Sequence, residues 1–209
     1  MLDKQKTNAS FIGFAGNIGV GKTTFTKLLS KNLQWTPYFE SVTDNPYLND
    51  FYDDMERWGF NLQIYFLHKR FQMHQKMSRS SIGVIQDRTI YEDKEIFARN
   101  LYQLEKLSSR DWDNYCGLFS VMTSYLKKPD LIIYLRAETD TLLSRIKSRG
   151  RDYEKSIDPD YVQTLNLSYD RWIQSITDET VMTIQTDDFN IFDDTRKFEE
   201  IKTEILERL

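Results

Sequence analysis

Cysteine is nearly missing from this sequence: Cys116 stands alone among 209 residues. No disulfide can close within the chain, and a reducing cytoplasm is the expected compartment. The only two histidines, His68 and His74, offer no spacing for a structural zinc site, and both read as ordinary helix-surface residues. Positive charge is not in excess, since the formal net charge is -4, so no basic footprint marks a nucleic-acid partner. No apolar run approaches the ~18 residues that span a bilayer, and the opening MLDKQKTNAS has no apolar signal core. No membrane association is expected. Proline (4) and glycine (8) are too few for a fibrous or disordered chain. What is present, 40% hydrophobic and 29% charged residues, is a globular composition long enough for one sizeable core. A single domain over 1–209 is expected.

Much of the scarce glycine falls in one place. Residues 11–25, FIGFAGNIGVGKTTF, run from an apolar strand through a glycine-rich loop into Lys-Thr-Thr. Gly16, Gly21, Lys22 and Thr23 fit G-x-x-x-x-G-K-[ST], the P-loop pattern. A phosphate chain must be wrapped by backbone N–H groups, and glycines allow the close approach and positive φ this requires. Gly16, Asn17, Ile18, Gly19, Val20, Gly21, Lys22, Thr23 and Thr24 are therefore the expected donor-phosphate cradle. Within it Lys22 reaches the β- and γ-phosphates and the Thr23 hydroxyl ligates Mg²⁺. Residues 24–32 read as a helix whose positive N-terminal end faces the same anion.

Downstream, short β-like runs alternate with longer helical ones, the pattern of an α/β fold with a parallel sheet. Strands are expected at 11–15, 37–42, 82–86, 130–135 and 181–186. The fourth, DLIIYL, is the most apolar and is expected at the centre. Five strands with helices between them make a doubly wound, P-loop kinase-type sheet with its active site at the strands' C-terminal ends. Helices are expected within 47–77, at 93–102, 110–126 and 139–148, from Pro159 with Asp158 as cap, and at 196–209. Gly150 stops the helix before it, and the polar, arginine-flanked stretch 150–157 reads as a mobile lid.

A hydrolysing switch would show D-x-x-G after a strand, and none follows Leu135, so the question is what receives the phosphate. Asp87 ends a strand, where a carboxylate orients the Mg²⁺ held by Thr23, directly or through water. Arg88 beside it sets a guanidinium near the transferred phosphate or the acceptor hydroxyl, although the same pair also fits the closure of a surface loop. Glu40 sits amid Tyr38, Phe39 and Val42, where burial raises a carboxyl pKa toward that of a general base; pairing with an arginine suits the position equally. Arg145, Arg149 and Arg151 surround a helix end. The first two, four apart, share a face and read as a donor-phosphate clamp rather than a solvated basic face.

Taken in order, GNIGVGKTT, FESV, NPYLNDFY, ERWGFNLQIYFLHKRF, QDRTIYEDKEIFA and RIKSRGRDYE resemble the deoxynucleoside kinase family over residues 11 to about 172, and most of all its bacterial deoxyadenosine/deoxycytidine kinases. The resemblance implies that a cytoplasmic homodimer, with Mg²⁺, transfers the γ-phosphate of ATP to the 5′-hydroxyl of a deoxynucleoside in nucleotide salvage. It makes Glu40 the base for that hydroxyl and Arg88 its partner. Asp87 stands where the family's Glu-Arg-Ser motif has Glu, and Thr89 where it has Ser. It also places Tyr52 and Glu154 on the sugar 3′-hydroxyl, Gln63, Arg70 and Asp93 on the base, Phe97 stacked on that base, and the three arginines in the lid. Helical geometry agrees: Gln63 and Arg70 lie two turns apart on one face, Asp93 and Phe97 one turn apart. An ionised Asp93 only accepts hydrogen bonds, so it suits the exocyclic amine of adenine or cytosine; guanine ranks behind, and thymine opposes acceptor to acceptor. A thymidylate-type nucleoside monophosphate kinase and a P-loop protein that binds nucleotide without transferring phosphate are the alternatives.

Overall fold

The computed structural model describes residues 9–39, 45–151, 154, 157–189, 191 and 194–209. Five short apolar runs pair as one parallel sheet in the order β2-β3-β1-β4-β5. β1 is Phe11–Ala15, β2 Thr36–Tyr38, β3 Val84–Asp87, β4 Leu131–Arg136 and β5 Thr180–Gln185. β1 holds the middle and is buried throughout, with Phe11 opposite Val84 on one side and Ile12 opposite Leu131 on the other. DLIIYL, expected at the centre, is the next strand out. Its apolarity reflects burial on both faces, which any strand covered by helices on both sides shares. β2 pairs only over Thr36–Tyr38, and positions 40–42 of the expected strand lie outside the described residues.

Strand pleating sends successive side chains to opposite faces, so each interior strand feeds two cores. Ile12, Phe14, Leu131, Ile133 and Leu135 join one with α1 (Lys22–Leu33), α7 (Thr139–Arg149) and α9 (Thr195–Glu207). Ala15, Ile132 and Tyr134 join the other with α8 (Pro159–Ser175) and a π-helical turn, Asp93–Ala98. A third cluster around Leu67, Leu101 and Tyr115 binds α2 (Leu48–Asp53), α3 (Met55–Met77), α5 (Arg99–Gln103) and α6 (Ser109–Thr123). Each fully buried side chain of this size contributes about 1.5–3 kcal/mol. The short α4 (Ile90–Glu92) runs directly into the π turn and α5.

Helix ends follow local chemistry. The Asp54 carboxylate accepts from the Arg57 N–H at 3.0 Å to start α3, Asp158 caps α8 with Pro159 in its first turn, and Gly150 at φ 67 ends α7. His74 corrects an expectation: it is not on the surface but buried, with its ring edge-on to Phe11 at 5.3 Å. The last turns of α3 pack against β1 and β3, and proximity to a helix end did not reveal that.

From β1 the chain crosses through α1 to β2 at one edge, whereas from β3 it crosses to β4 beyond β1. The two connections part in opposite directions, which opens a crevice at the C-terminal ends of β1 and β3, the place where such sheets bind ligands.

Candidate active site

The loop after β1 needs its glycines. Gly16 adopts φ 145 and Gly21 φ 106, and a Cβ on Gly16 would fall 2.5 Å from the Leu135 carbonyl oxygen. Gly21 is the N-cap of α1 and brings no side-chain hydrogen bond, so an anion meets the helix's positive end without competition from a capping oxygen. Lys22 is buried and donates from Nζ to the Gly16 and Asn17 carbonyls at 2.7 and 3.0 Å. Asn17 adds a side-chain brace. Its side chain leaves the cradle to donate to the Val162 carbonyl at 2.9 Å and to Asn166 Oδ1 at 3.4 Å, bracing the loop against α8.

β3 delivers its last residue to the same point, where Thr23 Oγ1 donates to Asp87 Oδ2 at 2.5 Å. Arg88 follows with φ 70, a left-handed backbone that costs a non-glycine residue about 1–3 kcal/mol and persists only where surroundings enforce it. Here they do. Its N–H donates to the Phe14 carbonyl at 3.0 Å, its carbonyl accepts from Arg70 Nη1 at 3.0 Å, and its guanidinium lies 4.5 Å over the Phe97 ring.

Gln63 and Arg70 reach the cleft from α3, while Asp93 and Phe97 reach it from the π turn. Such turns are rare in helices and frequent at functional sites. This one is held by Asn100, whose Nδ2 donates to the Ile96 carbonyl at 2.6 Å. Arg70 Nε lies 2.7 Å from the Asp93 carboxylate, with both side chains 3% exposed or less, so the ion pair forms part of the cleft wall. Gln63 Oε1 is buried with no hydrogen-bond partner among the described residues, an omission that costs about 1–3 kcal/mol until a ligand supplies a donor.

The three lid arginines do not act alike. Arg145, expected to share an anion with Arg149, turns to the loop after β5, donating to Thr186 Oγ1 at 3.0 Å, to the Thr186 carbonyl, and to the Val20 carbonyl at 3.3 Å. Arg149 instead grips both carboxylate oxygens of Glu154 at 2.6 and 3.0 Å, and Arg151 lies 3.5 Å from the same carboxylate. Sharing a helix face set where the arginines start, but acceptors in two different loops decide where their guanidinium groups end. Glu154, assigned by the resemblance to the sugar, is engaged here by the lid. Gly21, Lys22, Thr23, Gln63, Arg70, Asp87, Arg88, Asp93, Phe97, Glu154 and the three arginines line one cleft of about 940 Å³, together with Tyr52, Ile18, Gly19 and Thr24, whereas Gly16 and Asn17 do not. Glu40 and positions 152, 153, 155 and 156 of the expected lid lie outside the described residues.

A profile described as deoxynucleoside kinase matches residues 12–209. The chain belongs to the deoxynucleoside kinase family. Its relatives include the deoxyadenosine/deoxycytidine kinase of Bacillus subtilis, 39% identical over 94% of this chain and 91% of that one. Another is the deoxyadenosine kinase of Dictyostelium discoideum, 43% identical over 84% and 71%. Among solved structures, the M. mycoides deoxyadenosine kinase with dCMP and a flexible dCDP bound superposes with a TM-score of 0.83 at 30% identity, covering 93% of this chain and 99% of that one. Like its family, the protein is an ATP-dependent kinase that phosphorylates the 5′-hydroxyl of deoxynucleosides.

Some parts of this kinase's cleft had no distinctive sequence signal. Thr186, Asp187, Asp188, Phe189 and Ile191 line it from the loop after β5, close to Val20 and Arg145. Burial pushes the Asp187 carboxyl up, but hydrogen bonds from the Thr141 side chain and the Glu138 N–H, with Arg145 and Arg136 nearby, bring it below its ordinary value. Tyr161, another lining residue, is driven well above the usual phenol range by burial, against the opposing charge of Arg88, and stays neutral. Glu92, at the foot of the site, carried no motif of its own. Its only sequence hint was its position three residues after Thr89, the capping-box spacing.

Proposed function

We propose that this kinase prefers deoxynucleosides whose base carries an exocyclic amine, adenine or cytosine, with guanine behind them. The buried Arg70–Asp93 pair carries this reading: at 2.7 Å the guanidinium keeps the carboxylate ionised and aimed, leaving it able only to accept. Gln63, with its unmet oxygen, completes the edge that reads the base, and Phe97 packs against it. Tyr52 and Glu154 serve the sugar 3′-hydroxyl, with Glu154 leaving its lid arginines when substrate binds. Glu40 takes the proton of the 5′-hydroxyl, whose oxygen attacks the γ-phosphorus as ADP departs, and Arg88 and Lys22 meet the developing charge. Arg145 holds the donor side of the cleft, and Arg149 and Arg151 close over the phosphates from a lid at about 150–157 of a single domain.

Mg²⁺ fits the oxygens present. The Thr23 hydroxyl and Asp87 carboxylate already meet at the phosphate end, and hard oxygen donors of this kind, completed by phosphates and water, suit the ion. When bound it would neutralise phosphate charge. The protein is proposed to be a cytoplasmic homodimer. Leu118, Val121 and Tyr125, at helical spacing on and just past α6, are 42%, 65% and 86% exposed, an apolar stripe that a second copy would cover. Among the described residues no helix is long and apolar enough to cross a membrane.

A coupled assay offering deoxynucleosides and their 5′-monophosphates tests the acceptor class. ADP formation driven by deoxyadenosine or deoxycytidine and not by the monophosphates is expected; the reverse would point to a monophosphate kinase. Sedimentation of wild type against Val121→Glu tests the dimer, which the variant should weaken. A monomeric wild type would rule the dimer out.

A further inference from the structure

Glu92 has 0% exposure and no part in the roles above. Its two carboxylate oxygens do different things. Oε2 accepts from the Thr89 N–H at 2.7 Å and the Thr89 hydroxyl at 3.3 Å, the capping box that starts α4. Oε1 points away from that cap. It accepts from the Gly16 N–H at 3.3 Å and the Tyr169 hydroxyl at 2.8 Å, and lies 3.6 Å from Arg88 Nη1. Tyr169 in turn accepts from Arg88 Nη1 at 2.5 Å, so Arg88, Tyr169 and Glu92 form a continuous chain.

A helix cap needs only the first oxygen. The second joins the first glycine of the P-loop, the residue after β3 and the middle of α8, three elements far apart in sequence. A buried carboxylate is costly unless it is paired and fully hydrogen-bonded, and this one has donors on both oxygens and a guanidinium beside them. Arg88 adds a second reason. Its left-handed backbone has to be enforced from outside, and the far end of its side chain is held by Tyr169 and Glu92.

We propose that Glu92 is a positioning residue for phosphoryl transfer, fixing the Arg88 guanidinium and the Gly16 turn in one register so that the acceptor-side cation and the donor loop are preset relative to each other. The inference rests on the reading of Arg88 as a group that meets the reacting phosphate or hydroxyl. Misplacing such a group by about 1 Å can cost roughly a hundredfold in rate without touching affinity.

The test compares kcat, and KM for ATP and for deoxyadenosine, per folded enzyme. Glu92→Gln keeps the volume but removes the charge, Tyr169→Phe removes only the hydroxyl, and Arg88→Lys is the reference. Glu92→Gln is expected to lower kcat about 10- to 100-fold with both KM values within about threefold. Tyr169→Phe should lower kcat less, and the double variant should be no worse than Glu92→Gln alone, because one chain is broken once. A purely structural Glu92 would lower the thermal midpoint and leave kcat per folded enzyme at the wild-type level, which overturns the proposal. So would losses that multiply in the double variant. If Glu92→Gln does not fold, Tyr169→Phe decides, and wild-type kcat in it overturns the proposal. Wild-type kcat in Arg88→Lys would remove the reading of Arg88 and the inference together, whereas a loss there with Glu92→Gln unaffected removes the inference alone.

Discussion

At the proposed donor end of the cleft one contiguous stretch, 16–24, would wrap phosphate mainly with backbone, supported by the positive φ of Gly16 and Gly21 and by one lysine. The acceptor end has no such stretch. The wall proposed to read the base joins side chains from α3 and the π turn, and Arg70 and Asp93 are 23 positions apart. A backbone site tolerates many side chains but few changes of loop geometry, so it recurs as a fixed pattern. A side-chain site is set pair by pair, and it is where one kinase can differ from another in what it phosphorylates. The donor end should therefore govern rate for every acceptor, and the acceptor end should govern which acceptor is chosen.

The largest expected effect is at the proposed base. Glu40→Gln should lower kcat about 10²- to 10⁴-fold while deoxynucleoside affinity survives, because the amide keeps the volume but cannot take the proton. Lost affinity with intact turnover at saturation would move Glu40 from base to binding residue. Lys22→Ala should lower kcat at least about a hundredfold for every acceptor alike, roughly 3 kcal/mol of transition-state stabilisation, with the fold retained. A loss confined to one base would break the division between ends. Asp93→Asn should do the opposite, narrowing discrimination between deoxyadenosine and thymidine about tenfold while KM for ATP stays put. Smaller still, ATP should slow proteolysis at 150–157, since Arg149 and Arg151 leave Glu154 for phosphate. Equal cutting with and without ATP would count against lid closure.

A change that touches neither end sharpens the contrast. Burial holds the His74 imidazole below its usual 6.5, outweighing a hydrogen bond that the ring donates to the Lys127 backbone, which acts the other way. With the folded value depressed, the unfolded chain binds more protons, so this contribution to stability is complete above about pH 6.5 and is lost as pH falls through the folded value. His74→Leu should flatten the fall in thermal midpoint below that pH without altering kcat at neutral pH.

The geometry of the glycine-rich loop was legible in the sequence almost entirely, because glycine conformations and a following helix are local requirements. Strand positions and the caps at Asp158 and Gly150 were legible for the same reason. The assignment of Gln63, Arg70 and Asp93 to one pocket came from resemblance, with helical spacing relating Gln63 to Arg70 and Asp93 to Phe97; the structure adds the Arg70–Asp93 contact and the π turn that carries Asp93 and Phe97. What sequence could not show was partner choice between distant elements. Arg145 went to Thr186, Asn17 to Val162, and Glu92 to three elements at once. Each side chain looked ordinary until the fold supplied its acceptor or donor. His74 and the off-centre place of DLIIYL show the same limit, since burial depends on what packs above.

The central claim is that an ionised Asp93, fixed by Arg70, selects the base. The direct measurement is kcat/KM for deoxyadenosine, deoxycytidine, deoxyguanosine and thymidine under one set of conditions. An acceptor facing thymine O4 costs about 1–3 kcal/mol or more, so deoxyadenosine or deoxycytidine should exceed thymidine by tenfold to well over a hundredfold. Thymidine as the best substrate would contradict the account.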